Sequence, residues 1–390
     1  VNQTYDAVVV GGGPSGATAA EVLAKRGWSV LLLDRGGRIK PCGGAIPPRL
    51  IRDFEIPDHL LAARVRSARM VAPSAREVDM PIENGFVGMV DREFFDEWLR
   101  ERAEQAGAER RTARFERITH DSDGVAVVHL AQKDEGESSV RARVVVGADG
   151  AKSSVAAQCI KGAERMPYVF AYHEIVRAPK EGFDGTRCDV YYQGRLSPDF
   201  YGWVFPHGDT ASVGSGSARK GFSLRRSVGA LRETAGLAGA ETIRREGAPI
   251  PLRPLRRWDN GRDVIVAGDA AGVVAPASGE GIYYAMEGGR LAAEAADQFL
   301  TTGDAKALRQ ARRRFMKAHG MVFRILGIMQ WFWYSSDKRR ERFVSICQDA
   351  DVQRLTWDSY MNKQLTRRDP MAHVRIFFKD VAHLLGLASA

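Results

Sequence analysis

One stretch near the start constrains the fold more than any other. In YDAVVVGGGPSGATAAEVLAKRGWSVLLLDR, residues 5–35, a β-branched run at Val8–Val10 enters a glycine turn, an alanine-rich segment ends near Gly27, and SVLLLD closes on Asp34. The pattern predicts strand, turn, helix and strand. Gly11, Gly13 and Gly16 complete G-x-G-x-x-G. Gly11 permits the tight turn, Gly13 lets a pyrophosphate approach the backbone, and Gly16 lets the helix pack closely on the strand. Ser15 stands beside them at the helix start, where free N–H groups face an anion. Asp34 lies 18 residues beyond Gly16, the spacing at which a carboxylate takes ribose hydroxyls, and Arg35 follows it. A dinucleotide is expected, but this fingerprint does not separate FAD from NAD.

At 390 residues, 44% of them hydrophobic, the chain can bury a sizeable core and form one to three domains. Cys42, Cys159, Cys188 and Cys347 are far apart with no C-x-x-C pair, which argues against a disulfide framework or a structural zinc site. A reducing, cytoplasmic compartment and no metal are expected. No basic leader precedes the first strand, and no run of roughly 18 apolar residues predicts a membrane-spanning helix. The net charge of +9 is concentrated: eleven Lys and Arg stand against three acids between Thr301 and Ser345. The same region holds GMVFRILGIMQWFWY, residues 320–334. Apolar and aromatic residues among cations suit a lipid headgroup boundary better than nucleic acid. The plainer reading is a solvated helical cap.

Three later stretches bear on the cofactor. VDREFFDEWLRERA, residues 90–103, sets Arg92 before an amphipathic helix; VVVGADGAKSSV, residues 144–155, is a buried strand running into Asp149-Gly150; DVIVAGDAAGVVAPASGEGIYYAMEGG, residues 263–289, is a strand ending at Gly268-Asp269. Together they resemble the FAD-binding set of the para-hydroxybenzoate hydroxylase-like flavoproteins. The resemblance implies that Asp269 holds the ribityl chain, that Arg92 lies near the flavin, and that the Asp149 turn approaches the cofactor. After Gly279 and Gly281, a helix opening at Ile282 presents its N-terminus, whose dipole stabilises an anionic reduced flavin.

Within that fold two motifs narrow the family. One is KPCGGAIPP, residues 40–48; the other is FYGWVFPHG, residues 200–208, followed by Gly214-x-Gly216. In the second, Tyr201, Trp203 and Phe205 alternate on one strand face and Pro206 marks the strand's end. Alone, such a strand reads as the buried face of a sheet. Y-x-W-x-F-P followed, after seven intervening residues, by G-x-G resembles the geranylgeranyl reductases, whose prenyl-substrate site this motif accompanies. The wording is most like the chlorophyll and bacteriochlorophyll branch. Two departures stand out: His207 where Lys is usual, and Ala156 where the hydroxylases' Asp-Gly motif ends in Arg. With the flavin motifs beside it, the aromatic face reads as one wall of a long apolar trough, with Pro206 at its end and Gly214 and Gly216 keeping backbone close to the flavin.

The resemblance implies reduction of the isolated double bonds of a geranylgeranyl chain, free as the diphosphate or esterified to a pigment, to phytyl in three two-electron steps. Such alkenes carry no conjugated carbonyl, so protonation must accompany or precede hydride arrival, and aromatic faces stabilise the cation-like carbon. Cys42, on a turn freed by Gly43 and Gly44 to approach the flavin, is the candidate proton donor. The plainer reading of Cys42 is a small apolar filler; Tyr201 and His207 are lesser donors. With one dinucleotide fingerprint, NADPH binds transiently, or reduced ferredoxin replaces it. The resemblance also implies a peripheral position at the inner face of a photosynthetic membrane; the oligomeric state is left open. The alternative is an FAD-dependent monooxygenase or halogenase of an aromatic substrate.

The expected architecture is α/β: a Rossmann-type FAD-binding domain (1–66, 93–165 and 258–300), an inserted antiparallel β-sheet catalytic domain (67–92 and 166–257) and a C-terminal helical region (301–390).

Overall fold

The computed structural model describes residues 3–37, 39–132 and 136–363. It divides into two compact units, each gathered from three stretches of chain: Val1–Lys40, Arg92–Tyr168 and Pro249–Phe323 form the first, and Pro41–Asp91, Val169–Ala248 and Arg324–Ala390 the second.

Among the described residues the first unit holds a seven-stranded sheet. Its order is Glu109–Thr112, Val30–Asp34, Thr4–Val10, Gly136–Gly147, Ala126–Gln132 and Arg114–His120, with Val264–Val266 also pairing to Gly136–Gly147. The strands around Thr4–Val10 are parallel and buried on both faces, which is why they read as unbroken Val and Leu runs rather than alternating ones. In register, Val10 pairs with Leu33 and Gly147, and Gly147 with Val266. The carboxyl ends of four parallel strands therefore meet on one edge, the edge where ligands bind in open α/β sheets. Helices Pro14–Lys25 and Ile282–Thr302 pack so closely that a Cβ on Gly289 would lie 2.1 Å from the Ser15 carbonyl oxygen.

The second unit is built on another seven-stranded sheet, ordered Thr242–Pro251, Tyr168–Arg177, Thr210–Ser217, Gly202–His207, Arg187–Tyr191, Ser67–Val71 and Glu77–Pro81. Its neighbours pair antiparallel, as expected, except that Arg187–Tyr191 and Ser67–Val71 run parallel. One face carries Val176, Val204, Val213 and Ala211 against Val228 and Leu231 of the helix Leu224–Thr234. That face supplies the ordinary core. A smaller sheet joins Ala45–Ile46, Val87–Val90 and Leu61–Val65.

Helices Asp337–Ile346 and Ala350–Asn362 also belong to this unit. The buried Arg340 donates to the carbonyls of Pro198 and Tyr334 and pairs with Asp337 at 2.8 Å, while Asp337 accepts from the Gly194 amide. Charged hydrogen bonds thus tie the first of these helices to the sheet loops.

Several boundaries differ from expectation. Residues 41–66 group with the second unit, because Ala45–Ile46 and Leu61–Val65 pair with Val87–Val90 rather than with the nucleotide sheet. The helical region beyond 300 is divided between the units at Phe323, and its part from 364 to 390 lies outside the described residues. Pro206 lies inside its strand, which runs to His207. It is tolerated there because the neighbour Arg187–Tyr191 pairs only with residues 202–204, leaving that edge free beyond Val204. No described helix is long and apolar enough to cross a membrane.

Candidate active site

In the first unit the glycine turn has two tight positions and one open one. A Cβ on Gly11, whose φ is +107°, would lie 2.3 Å from the Ala148 carbonyl oxygen, and one on Gly16 would lie 1.8 Å from that of Gly11. Around Gly13 no heavy atom lies within 4 Å of such a Cβ. Gly11 and Gly16 therefore close the turn, and Gly13 leaves the helix start open to a ligand. Gly13 is the N-cap and offers no side chain to the first-turn amides. Next to it, the buried Ser15 hydroxyl has no hydrogen-bond partner among the described residues. An open cradle, uncapped amides and a buried hydroxyl without an acceptor fit the pyrophosphate of a dinucleotide.

Asp34 accepts from the amides of Gly12 (2.9 Å) and Gly36 (2.8 Å), one on each carboxylate oxygen, which leaves acceptor capacity on both for ribose hydroxyls. Arg35 is exposed beside it. Arg100 donates to the Gly12 carbonyl at 3.1 Å and bonds Glu97. The sequence reading missed Arg100, whose contact spans 88 positions. Burial and an aspartate four residues on place Arg92: its Nε and Nη2 each donate to Asp96 at 2.7 Å. The pair has the i,i+4 spacing that brings two side chains together on one helix face, and the sequence reading did not name it.

Asp149 caps its own turn. Its carboxylate accepts from the Ser153 hydroxyl and from the amides of Ser154 and Val155, capping the short helix Ser154–Cys159. Burial pushes its pKa up, and these donors offset that only in part. The side chain is occupied with its own turn, so this segment offers a ligand backbone at Gly150.

Asp269, in the turn Gly268–Ala271, forms an ion pair with Lys40, a partner 229 positions away that the sequence reading did not name. Gly268 has φ +64°, and a Cβ there would meet Ser15 at 2.7 Å. The helix opening at Ile282 has Gly281 as its N-cap with no side-chain hydrogen bond, so its first amides and positive end stay available to an anion.

In the second unit the C-G-G turn rests on the end of the aromatic strand. A Cβ on Gly43 would meet the Phe205 ring at 3.0 Å, and one on Gly44, whose φ is +75°, would lie 2.4 Å from the Val90 carbonyl oxygen and 2.5 Å from the His207 ring. His207 Nε2 lies 3.1 Å from the Gly43 carbonyl, so that nitrogen carries the hydrogen. Burial pulls the pKa of His207 below its ordinary value, against the pull of the Gly43 carbonyl. Cys42 is half-buried and free, its sulfur accepting from the Gly44 amide at 3.4 Å.

The rings of Tyr201, Trp203 and Phe205 lie in sequence, neighbouring centroids 6.0 and 6.2 Å apart, and Phe200 stacks on Tyr201 at 4.2 Å. They occupy the sheet face opposite the core formed by Val204 and Val213, and Tyr201 and Trp203 are buried there as well. The two glycines of G-x-G serve these rings. A Cβ on Gly214 would lie 2.1 Å from the Trp203 indole, and one on Gly216 would lie 2.8 Å from the Phe200 ring. Each glycine makes room for an aromatic ring laid across its strand.

A parallel sheet, an uncapped glycine turn at its edge and a carboxylate at the end of the second strand make a dinucleotide-binding frame, and the solved structures that share it are FAD-dependent oxidoreductases in fold. The family described as lycopene cyclase protein matches residues 6–382. The chain is 60% identical to a geranylgeranyl diphosphate reductase of Rhodobacter capsulatus, over 98% of both chains. Its structure resembles a geranylgeranyl bacteriochlorophyll reductase-like protein of Thermoplasma acidophilum (TM-score 0.84, 22% identical, 99% of both chains). A flavin-dependent brominase shares the fold at 16% identity (TM-score 0.75, 98% of this chain and 99% of that one). The chain belongs to the lycopene cyclase protein family and, by its full-length relatives, to the geranylgeranyl reductases.

Proposed function

We propose that this enzyme reduces the isolated double bonds of a geranylgeranyl chain to the phytyl level. The observation that carries the reading is the 60% identity, over nearly the whole chain, to a reductase of that substrate. The halogenase and monooxygenase alternative has only likeness of fold behind it.

FAD, when bound, supplies the hydride. Gly11, Gly13, Ser15 and Gly16 would hold its pyrophosphate, Asp34 and Arg35 its adenosine ribose, and Gly268 and Asp269 its ribityl chain. Arg92, the Asp149 turn, Gly281 and Ile282 would complete that site within the first unit; the turn of Cys42, Gly43 and Gly44 belongs to the second. Tyr201, Trp203 and Phe205, with Pro206, Gly214 and Gly216, bind the apolar chain, each ring contributing about 1.5–3 kcal/mol when fully covered. Their faces lower the energy of positive charge that develops on the alkene. Cys42 gives the proton, its turn held by Phe205 and His207. NADPH is the proposed reductant, with ferredoxin as the other donor. The domains proposed are an FAD-binding domain, a substrate-binding β-sheet domain and a helical tail at a membrane surface.

The deciding assay is anaerobic incubation of dithionite-reduced protein with geranylgeranyl diphosphate and geranylgeranyl pigment, read by mass spectrometry. Products heavier by successive pairs of hydrogens are expected; unchanged substrate with intact flavin refutes the reading. Cys42→Ser retains FAD and loses at least about tenfold in turnover. Normal turnover in that variant removes Cys42 as the acid.

A further inference from the structure

Behind Trp203 lies a buried polar chain that the roles above do not use. His173, Gly214 and Trp203 sit side by side on three neighbouring strands, since Gly214 pairs with His173 on one side and Trp203 on the other. With no side chain at 214, the indole folds over the middle strand toward His173, and the two ring centroids come within 6.3 Å. Its Nε1 then reaches the hydroxyl of Ser212, two residues along the same strand face, at 3.1 Å. Ser212 Oγ lies 2.8 Å from His173 Nδ1, and His173 Nε2 lies 3.0 Å from Glu246. Arg244 pairs with the other carboxylate oxygen of Glu246.

With His173 as the neutral imidazole, the ends of this chain fix its direction. An indole nitrogen only donates and a carboxylate only accepts. Trp203 therefore donates to Ser212, Ser212 donates to His173 Nδ1, and the hydrogen on His173 Nε2 goes to Glu246. Each hydrogen bond is made once and none competes. Ser212 is fully buried and its oxygen is covered by the indole, so although serine, histidine and glutamate stand in line, the hydroxyl is closed to a substrate.

We propose that Ser212, His173 and Glu246 are positioning residues that hold the Trp203 indole flat across the sheet as the floor of the prenyl trough. The proposal rests on the reading that this face binds the apolar chain. A free Trp side chain has several rotamers; one pinned at its nitrogen and seated over a glycine has one, so the floor keeps its depth as the chain slides between reductions.

The test uses the FAD-loaded protein labelled with 15N. The chain has seven Trp, and the Trp203 indole signal is the one lost in Trp203→Phe. In Ser212→Ala that indole proton moves upfield, as a lost acceptor requires. KM for geranylgeranyl diphosphate rises about five- to tenfold, with kcat changed less than about twofold. Glu246→Gln keeps an acceptor for His173 Nε2 and leaves the indole signal in place, which a general loss of folding would not. Adding Ser212→Ala to Trp203→Phe raises KM no further. An unmoved indole signal in Ser212→Ala, or an equal KM rise with and without Trp203, overturns the proposal. An unchanged KM in Trp203→Phe overturns instead the reading that this face is the trough.

Discussion

Single residues carry much of this site, and glycines show it best. Alanine at 214 would set a Cβ 2.1 Å from the Trp203 indole and 2.7 Å from the His173 Cβ. The indole is pinned and cannot swing away, so Gly214→Ala is expected to cost about 1–3 kcal/mol. Thermal melts read this directly, and the loss should shrink in a Trp203→Leu background, where the smaller side chain leaves the space. His207 makes a prediction about pH. Burial holds its pKa below the ordinary 6.5, so the unfolded chain binds its proton first as pH falls. The stabilisation is complete above about pH 6.5 and is lost progressively below it. Melting temperatures from pH 7 to pH 5 should therefore fall less steeply in His207→Gln than in the native protein, and equal slopes would exclude the effect. Residue by residue, the glycine turn could be read before any coordinates because local spacing dictates it. Lys40 opposite Asp269, Arg100 on Gly12 and Glu246 on His173 could not, since those partners are 229, 88 and 73 positions apart and no periodicity links them.

Among the elements, the helix Arg309–Trp333 has an unusual division of its exposed face. Arg313, Lys317 and Arg324 are exposed along it, and Met321, Ile325, Ile328 and Trp331 continue the stripe toward the C-terminus, Trp331 being 75% exposed. Cations followed by an apolar ridge ending in an indole suit insertion at an anionic headgroup layer. The paired change Ile328→Ser with Trp331→Ser should weaken binding to vesicles containing anionic lipid at low salt, while turnover of a detergent-dispersed substrate stays near native. Undiminished vesicle binding would assign the ridge another role. The apolar run was visible in the sequence, but only the helix phase shows which of its residues point outward. Likewise the aromatic strand announced its period, whereas the reason for G-x-G required knowing that Trp203 pairs with Gly214 and not with a neighbour one position away.

At the level of the whole molecule, the fold class was legible because parallel strands buried on both faces leave an unmistakable pattern of apolar runs and glycine turns. The partition of the chain was less so: residues 41–66 carry no strong strand signal, and Ala45–Ile46 becomes a strand only by pairing with Val87–Val90. The central sheet has one more consequence. Val264–Val266 completes the row of strand ends that begins with Thr4–Val10, and the helix at Ile282 follows later still. At about 5–20 residues per second, a ribosome needs on the order of 10–50 s to travel from the first of those strands to the last. For that interval the nascent polypeptide has the Gly13 turn without Asp269 or the second helix end, so, on the cofactor site proposed above, the vitamin-derived chromophore is acquired late in translation or after release. Cells short of riboflavin should accordingly accumulate full-length, colourless chains, which the flavin absorbance of the purified protein reads directly.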